Sequence, residues 1–322
     1  MSRPPFRAAV VQAGSCGFDT AASLAKLADL AGDAARQGAR LAVFPEAFLG
    51  GYPKGLDFGA RLGLRMDRGR DEFGQYFEAA IALPGPELDR LCQLAADLAL
   101  TLVVGVIERD GGTLYCTQVF VDETGDWLGK HRKLMPTAME RLVWGQGDGS
   151  TIAAHDTPVG RIGGVICWEN YMPQLRLAMY AQGTELYCAS TVDDRDQWQH
   201  AIRHIAYEGR CFVLSACQYL TRAAFPADYA CSLGDDPATV LIRGGSSIVS
   251  PLGQVLAGPI YEQETVLVAD LDPADIARGK YDLDVAGHYA RPDVFSLNVN
   301  ATERPGVSLW QEGPSEDLDH DG

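Results

Sequence analysis

Three side chains in this 322-residue sequence are of types that could together carry out nucleophilic hydrolysis: Glu46 in LAVFPEAF, Lys133 in GKHRKLMPT and Cys167 in GGVICWENYMPQ. A cysteine attacks an electrophilic carbon as its thiolate, and a nearby ammonium lowers the thiol pKa from about 8.5. A carboxylate within reach can accept the thiol proton and later activate water. The lysine, with backbone N–H groups at the turn after Cys167, can stabilise negative charge as it develops on the attacked group. Taken singly, each residue has a plain reading: a solvated loop glutamate, a lysine in a basic run, a small core cysteine. Together they form a coherent set. Each follows an apolar run or lies in a hairpin region, so the spacing is consistent with three strand ends opening on one face, where α/β active sites are usually built.

The elements that would position them are legible from periodicity. Arg7–Gln12 reads as a buried strand, followed by an Ala/Leu-rich helix over Asp19–Gln37 with Gly38 as its stop. Leu41–Phe44 is a second strand, which Pro45-Glu46 leaves at its end. Pro84-Gly85-Pro86 opens a helix reaching Leu100, and Leu102–Glu108 and Leu114–Val121 form a hairpin around Asp110-Gly111-Gly112. Strand, helix and strand then recur over Arg161–Ile166, Met172–Gln182, Leu186–Cys188, Asp196–Glu208 and Phe212–Ala216. Further strands fall near Ser246–Ser250 and Thr265–Asp270. This alternation predicts an α/β fold with helices packed outside stacked sheets. Gly50–Glu78, polar and rich in Gly and Arg, reads as a surface insertion or a short extra helix. Residues 301–322 read as an acidic tail.

Bulk properties narrow the class. With 47% hydrophobic residues the chain can bury a large core, and no linker-like tract divides it. The net charge of −16 argues against a nucleic-acid or anionic-membrane partner. No apolar run approaches a membrane span and the N-terminus lacks a signal core, so a cytoplasmic protein is expected. The 8 cysteines have no paired CxxC spacing, which argues against a cysteine zinc site. In a reducing compartment most should be thiols.

The segments LAVFPEAFLGGYPKG, GKHRKLMPTAMERLVWGQGDGS and GGVICWENYMP resemble the nitrilase (carbon–nitrogen hydrolase) superfamily, specifically its true nitrilase branch. HIAYEGRCFVLSACQY, GGSSIVSPLGQVLAGP and GHYARPDVF extend the resemblance over roughly residues 6 to 300, in order. It implies an αββα sandwich as a carbon–nitrogen hydrolase domain over residues 1–300, with Glu46 as general base and acid, Lys133 as cationic stabiliser and Cys167 as nucleophile. It further implies a second glutamate, Glu140, beside the lysine, and Tyr52 and Trp168 near the substrate pocket. The implied reaction converts a small organic nitrile to its acid and ammonia through a cysteine thioimidate and thioester, with no metal or organic cofactor. Homo-oligomers, dimers or larger spirals, are also implied, and Met172–Gln182 and Asp196–Glu208 are the helices expected to pair.

Four other functions fit part of the pattern. An amidase or carbamoylase of the same superfamily would share the Glu, Lys and Cys. A cyanide-degrading enzyme would differ in pocket size. A binding or scaffold protein that has lost catalysis would not be inactivated by iodoacetamide. A metal-dependent hydrolase could use His200, His204 and Glu208, four apart on one helix, although Ala201 breaks the HExxH pattern.

Overall fold

The computed structural model describes residues 3–307. From the N-terminus, β1 (Phe6–Gln12) leads through α1 (Thr20–Arg36) to β2 (Ala39–Val43). A short hairpin of β3 (Ala60–Arg61) and β4 (Leu64–Arg65) precedes α2 (Asp67–Ala79) and α3 (Pro86–Leu98). Then come β5 (Thr101–Asp110), β6 (Thr113–Val121), β7 (Trp127–Arg132), β8 (His155–Thr157) and β9 (Gly160–Gly164). They are followed by α4 (Pro173–Ala181), β10 (Leu186–Thr191), α5 (Asp196–Gly209), β11 (Phe212–Cys217) and β12 (Tyr219–Thr221). The last elements are β13 (Val240–Val249), β14 (Val255–Tyr261), β15 (Thr265–Leu271) and α6 (Ala274–Gly279).

Two sheets result. One runs β15-β1-β2-β5-β6-β7; the other runs β12-β13-β11-β10-β9-β8, with β14 alongside β13. Strand pairs β1/β2, β2/β5, β9/β10 and β10/β11 are parallel, so their segments are apolar on both faces. The two-residue alternation sorts each strand between two cores. In β1, Ala8 and Val10 face the second sheet, meeting Leu186, Phe212 and Leu214 in a buried inter-sheet layer. Ala9 and Val11 face outward, under Leu27, Ala31 and Ala34 of α1 and Leu91 and Ala95 of α3. On the far side Tyr187, Ala189 and Val213 carry Met179 of α4 and Trp198, Ile202 and Ile205 of α5. The layer order is helix, sheet, sheet, helix, the expected αββα sandwich.

Local chemistry accounts for the element ends. Asp19 caps α1, accepting from the Ala22 N–H at 2.8 Å, and Gly38 beyond it adopts φ +85°. Thr113 pairs with Asp110 across the Gly111-Gly112 turn. Strand β7 was not legible: WLGKHR is half polar because one face packs inward while its Lys and Arg side chains serve an ion-pair network around Glu108. The expected irregular stretch Gly50–Glu78 holds the β3/β4 hairpin and a full helix, α2.

Of the two helices expected to pair, α5 does not leave an apolar face open, which corrects the argument for choosing it. Trp198, Ile202, Ile205 and Ala206 of α5 are spent on the chain's own sheet, and outward lie His200, Arg203 and His204 with Tyr207. On α4, Leu177 and Ala181 stay partly open beside exposed apolar groups of the C-terminal segment, where Tyr289 is 65% and Phe295 78% exposed. Tyr289 and Phe295 border a cavity of about 750 Å³ floored by Leu177, Ala178 and Ala181. Ala301 to Val307 is exposed without regular structure. The remainder of the expected tail, 308–322, lies outside the described residues.

Candidate active site

The three residues singled out in sequence do converge from three strand ends. Chain leaving β2 turns at Phe44-Pro45-Glu46-Ala47, where Ala47 takes φ +52°. Gly105 of β5 makes the turn possible: a Cβ there would lie 2.2 Å from the Pro45 carbonyl oxygen and 2.7 Å from the Glu46 Cα. Gln218 pins the same turn, donating from Nε2 to the Glu46 carbonyl at 2.8 Å. Lys133 is the first residue past β7, and its backbone N–H donates to the Cys116 carbonyl of β6 at 2.8 Å. Cys167 follows β9 and opens a 3₁₀ turn, Cys167–Tyr171, with φ +52°. Backbone in this region costs a non-glycine residue about 1 kcal/mol or more. At the start of such a helical turn the first N–H groups have no partner within the turn's own hydrogen-bond ladder.

Side-chain geometry joins these ends. The Lys133 ammonium, fully buried, donates to Glu46 Oε1 at 2.7 Å and to Glu140 Oε2 at 2.7 Å. Glu140 also accepts from the Thr137 N–H at 2.6 Å and, on its other oxygen, from the Tyr52 hydroxyl at 2.8 Å. Glu46 Oε2 is buried with no hydrogen-bond partner among the described residues. Thr191, at the end of β10, donates to the Cys167 sulfur at 3.3 Å. Tyr52, Glu140, Cys167 and Trp168 line one cavity of about 240 Å³ with Thr137, Val192, Asp193 and Arg195. Trp168 is half-exposed at its mouth, donating its indole N–H to Asp193 at 2.9 Å beneath the Arg195 guanidinium.

Electrostatics correct one expectation. The lysine was expected to lower the thiol pKa. Instead burial, and then the Glu46 charge, push the Cys167 thiol well above its ordinary range, and Lys133 offsets only part of this. The reason is a count of charges: two carboxylates already share one ammonium, so a thiolate would be a third anion in a dry site. The same crowding acts on the other groups. Burial raises the Glu46 carboxyl, Lys133 pulls it down, Glu140 raises it again, and the net direction is up. Burial works against the Lys133 ammonium, but the surrounding acidic groups, Glu46 first, together outweigh it and hold its pKa above the ordinary lysine value. Burial and then Glu140 raise the Tyr52 phenol, which stays a donor. The site therefore rests as a neutral thiol beside an unusually basic carboxylate.

Several supporting residues were not legible. Cys116 donates its thiol to Glu46 Oε1 at 3.5 Å, and no spacing rule marks it. Glu169 carried no such signal either, because the residue three before it is Ile166, where the capping pattern needs a polar side chain. It accepts from the Ile166 N–H at 2.8 Å and is buried. The histidine pair on α5 does not form a site. Glu208 is engaged by Arg176 at 2.8 Å and by the Tyr180 hydroxyl at 2.9 Å, and His204 lies 3.8 Å away, largely exposed. Among the described residues no group of three His, Cys, Asp or Glu side chains is placed to hold a metal ion.

Comparison with known proteins agrees with this arrangement. The sequence pattern of the carbon–nitrogen hydrolase family matches residues 7–281. A nitrilase of Bradyrhizobium diazoefficiens is 58% identical over 303 residues, covering 94% of each chain. A bifunctional nitrilase/nitrile hydratase of Nicotiana tabacum is 56% identical, covering 92% of this chain and 87% of that one. In fold, the chain matches the crystal structure of the C. elegans NitFhit protein with a TM-score of 0.73 at 20% identity, over 95% of this chain and 70% of that one. From its sequence, its layered fold and these relatives, the chain belongs to the carbon–nitrogen hydrolase family, in its nitrilase branch.

Proposed function

We propose that the protein is a nitrilase, converting an organic nitrile to its carboxylic acid and ammonia, with Cys167 as nucleophile, Glu46 as general base and acid, and Lys133 as the cation on the reacting nitrogen. The observation that carries this reading is the Glu46–Lys133–Glu140 ion chain, with Glu46 and Lys133 fully buried and Glu140 at the cavity wall, next to a buried cysteine, in a chain 58% identical to a nitrilase.

Because the thiol rests protonated, attack and proton transfer belong together. As sulfur adds to the nitrile carbon, its proton passes to Glu46, whose raised pKa suits it to accept. Glu46 returns that proton to the nitrile nitrogen, giving a neutral thioimidate, while Lys133 and the N–H groups of the Cys167 turn steady the negative charge in between. Water, deprotonated by Glu46, then adds to the thioimidate carbon. Protonated nitrogen leaves as ammonia, the thioester remains, and a second water releases the acid and restores the thiol. Two modest barriers replace one high one. Glu140 and Tyr52 hold the ammonium in place, and Trp168 borders the substrate entrance. No step calls for a cofactor. An assay of ammonia release across aliphatic, arylaliphatic and aromatic nitriles tests the reading; no release from any nitrile, with efficient hydrolysis of amides, replaces it with an amidase.

Partition at the tetrahedral intermediate decides the product: loss of nitrogen gives acid, loss of sulfur gives amide. With two carboxylates beside Lys133 to manage the nitrogen's proton, acid and ammonia should be the main products and amide a minor one. Chromatography of the products against time checks this, and dominant amide would show that sulfur is the better leaving group here. The relative named for both activities makes the ratio worth measuring.

The same reading treats residues 1–300 as the catalytic domain and 301–322 as an acidic tail, in a cytoplasmic protein whose unpaired cysteines suit a reducing compartment. No helix among the described residues is long and apolar enough to cross a membrane. A homo-oligomer is proposed, because apolar exposure as large as that around Tyr289 and Phe295 usually marks an interface. Light scattering should give a dimer or larger species, and Phe295→Asp should reduce its size, with activity falling in parallel through α4 and the Cys167 turn ahead of it. A wild-type monomer that is fully active on dilution removes the coupling.

A further inference from the structure

The turn that carries Cys167 and the strand end that carries Lys133 are tied together by one carboxylate. Glu169 accepts through Oε2 from the Ile166 N–H at 2.8 Å and through Oε1 from the Leu134 N–H at 2.7 Å. Ile166 precedes Cys167 and Leu134 follows Lys133, so a single side chain fixes the neighbours of two reacting groups that come from different sheets. His131, two residues before Lys133, brings Nε2 to 3.1 Å from Glu169 Oε2. Its other nitrogen, Nδ1, lies 3.2 Å from the Thr151 carbonyl oxygen.

Both ring partners are acceptors. A neutral imidazole has one N–H, and would set a bare lone pair against an oxygen at its other nitrogen. Only the doubly protonated ring donates at both. We infer that His131 is held as a buried imidazolium and, with Glu169, forms a positioning pair that registers the Cys167 turn against Lys133. The inference deepens the nitrilase reading and rests on Cys167 as its nucleophile.

The surroundings agree. Burial alone would depress the His131 pKa, but the charge and hydrogen bond of Glu169 and the bond to Thr151 lift it above the ordinary histidine value. From β10 the buried Tyr187 phenol feels the charge of Glu169, and Arg176 of α4 acts on it in the opposite sense. Gln118 stands opposite His131 in β6. A buried ion pair is weak evidence of stabilisation, since desolvation offsets much of its attraction. What this one provides is fixed geometry: three donors converge on one carboxylate, and the backbone on either side of the catalytic set cannot shift without breaking one of them.

The test uses full-length enzyme, with kcat expressed per titratable Cys167. Glu169→Gln, which keeps shape but cannot accept from all three donors, should lower kcat about 100-fold with KM within about twofold, the cost of a misplaced reacting group. Iodoacetamide titration should still count one reactive Cys167 per chain. His131→Gln retains a donor toward Glu169 and should recover part of the rate that His131→Leu loses. Independently of activity, ¹⁵N-histidine spectra of the wild type at neutral pH should show both His131 nitrogens protonated. Equal rates for His131→Gln and His131→Leu, an unchanged kcat in Glu169→Gln, or a bare nitrogen on His131 overturns the inference. A wild-type enzyme that alkylation of Cys167 leaves active would instead sink the nucleophile assignment and leave the imidazolium untouched.

Discussion

Cys167→Ala should have no measurable nitrile hydrolysis, with its fold intact. The sulfur is the atom that forms the covalent intermediate, so no neighbouring group can substitute: Cys116 donates to Glu46 from a buried strand position, and it does not line the cavity that Cys167 shares with Tyr52 and Trp168. Alanine keeps a Cβ and meets the same demand for φ +52° that cysteine meets. Removing one buried sulfur should cost stability only about 1 kcal/mol, a few degrees in melting temperature at most. Thermal melting beside the ammonia assay separates lost chemistry from lost structure. Retention of a few per cent of the wild-type rate, free of contaminating enzyme, would remove Cys167 from the mechanism.

Glu46→Gln and Lys133→Ala should each lower kcat by about 10²–10⁴-fold, the usual range for a general base and for a preorganised charge. Glu46→Gln removes the acceptor for the thiol proton, and because the thiol is pushed up by burial, spontaneous ionisation cannot replace it. Lys133→Ala does double damage: it takes away the cation and leaves Glu46 and Glu140 facing each other without it. The double variant should fall far short of the product of the two losses, since both serve one transition state. The pH profile gives the sign. Glu46 works as a base only when ionised, and its pKa is raised, so kcat should be full above that raised value and fall as pH drops through it. The acid limb should sit above the ordinary carboxylate range and vanish in Glu46→Gln. Near-normal turnover by Glu46→Gln would assign the base elsewhere.

How far the sequence discloses this site depends on where each constraint is written. Strand ends bearing Glu46 and Cys167 could be read because parallel, doubly buried strands are unbroken apolar runs and the residue that leaves them is conspicuous, whereas Lys133 follows an antiparallel strand and stood out only by its type. Glu140, Tyr52 and Trp168 came through resemblance, not periodicity; nothing in TAMERL says that its glutamate turns inward to an ammonium. Strand β7 escaped notice because its inward face carries His131 and its outward Lys130 and Arg132 answer Glu108, so no apolar alternation survives. The upward shift of the thiol pKa was not legible for a related reason. Charge balance in a dry cavity depends on how many carboxylates reach one lysine, and that number exists only in three dimensions. The apolar residues of α5 likewise gave no sign in sequence that their own sheet consumes them.

The central claim is a covalent bond between substrate and Cys167, and intact-protein mass spectrometry during turnover of a slow nitrile addresses it most directly. Quenched with acid, the wild-type enzyme should carry one acyl or imidoyl increment per chain, with peptide mapping placing it on Cys167, and Cys167→Ala should carry none. Glu46→Gln, slowed in hydrolysis, should hold its adduct longer. An enzyme that turns over nitrile at full rate with an unmodified Cys167 throughout, or with the increment on another residue, contradicts the account.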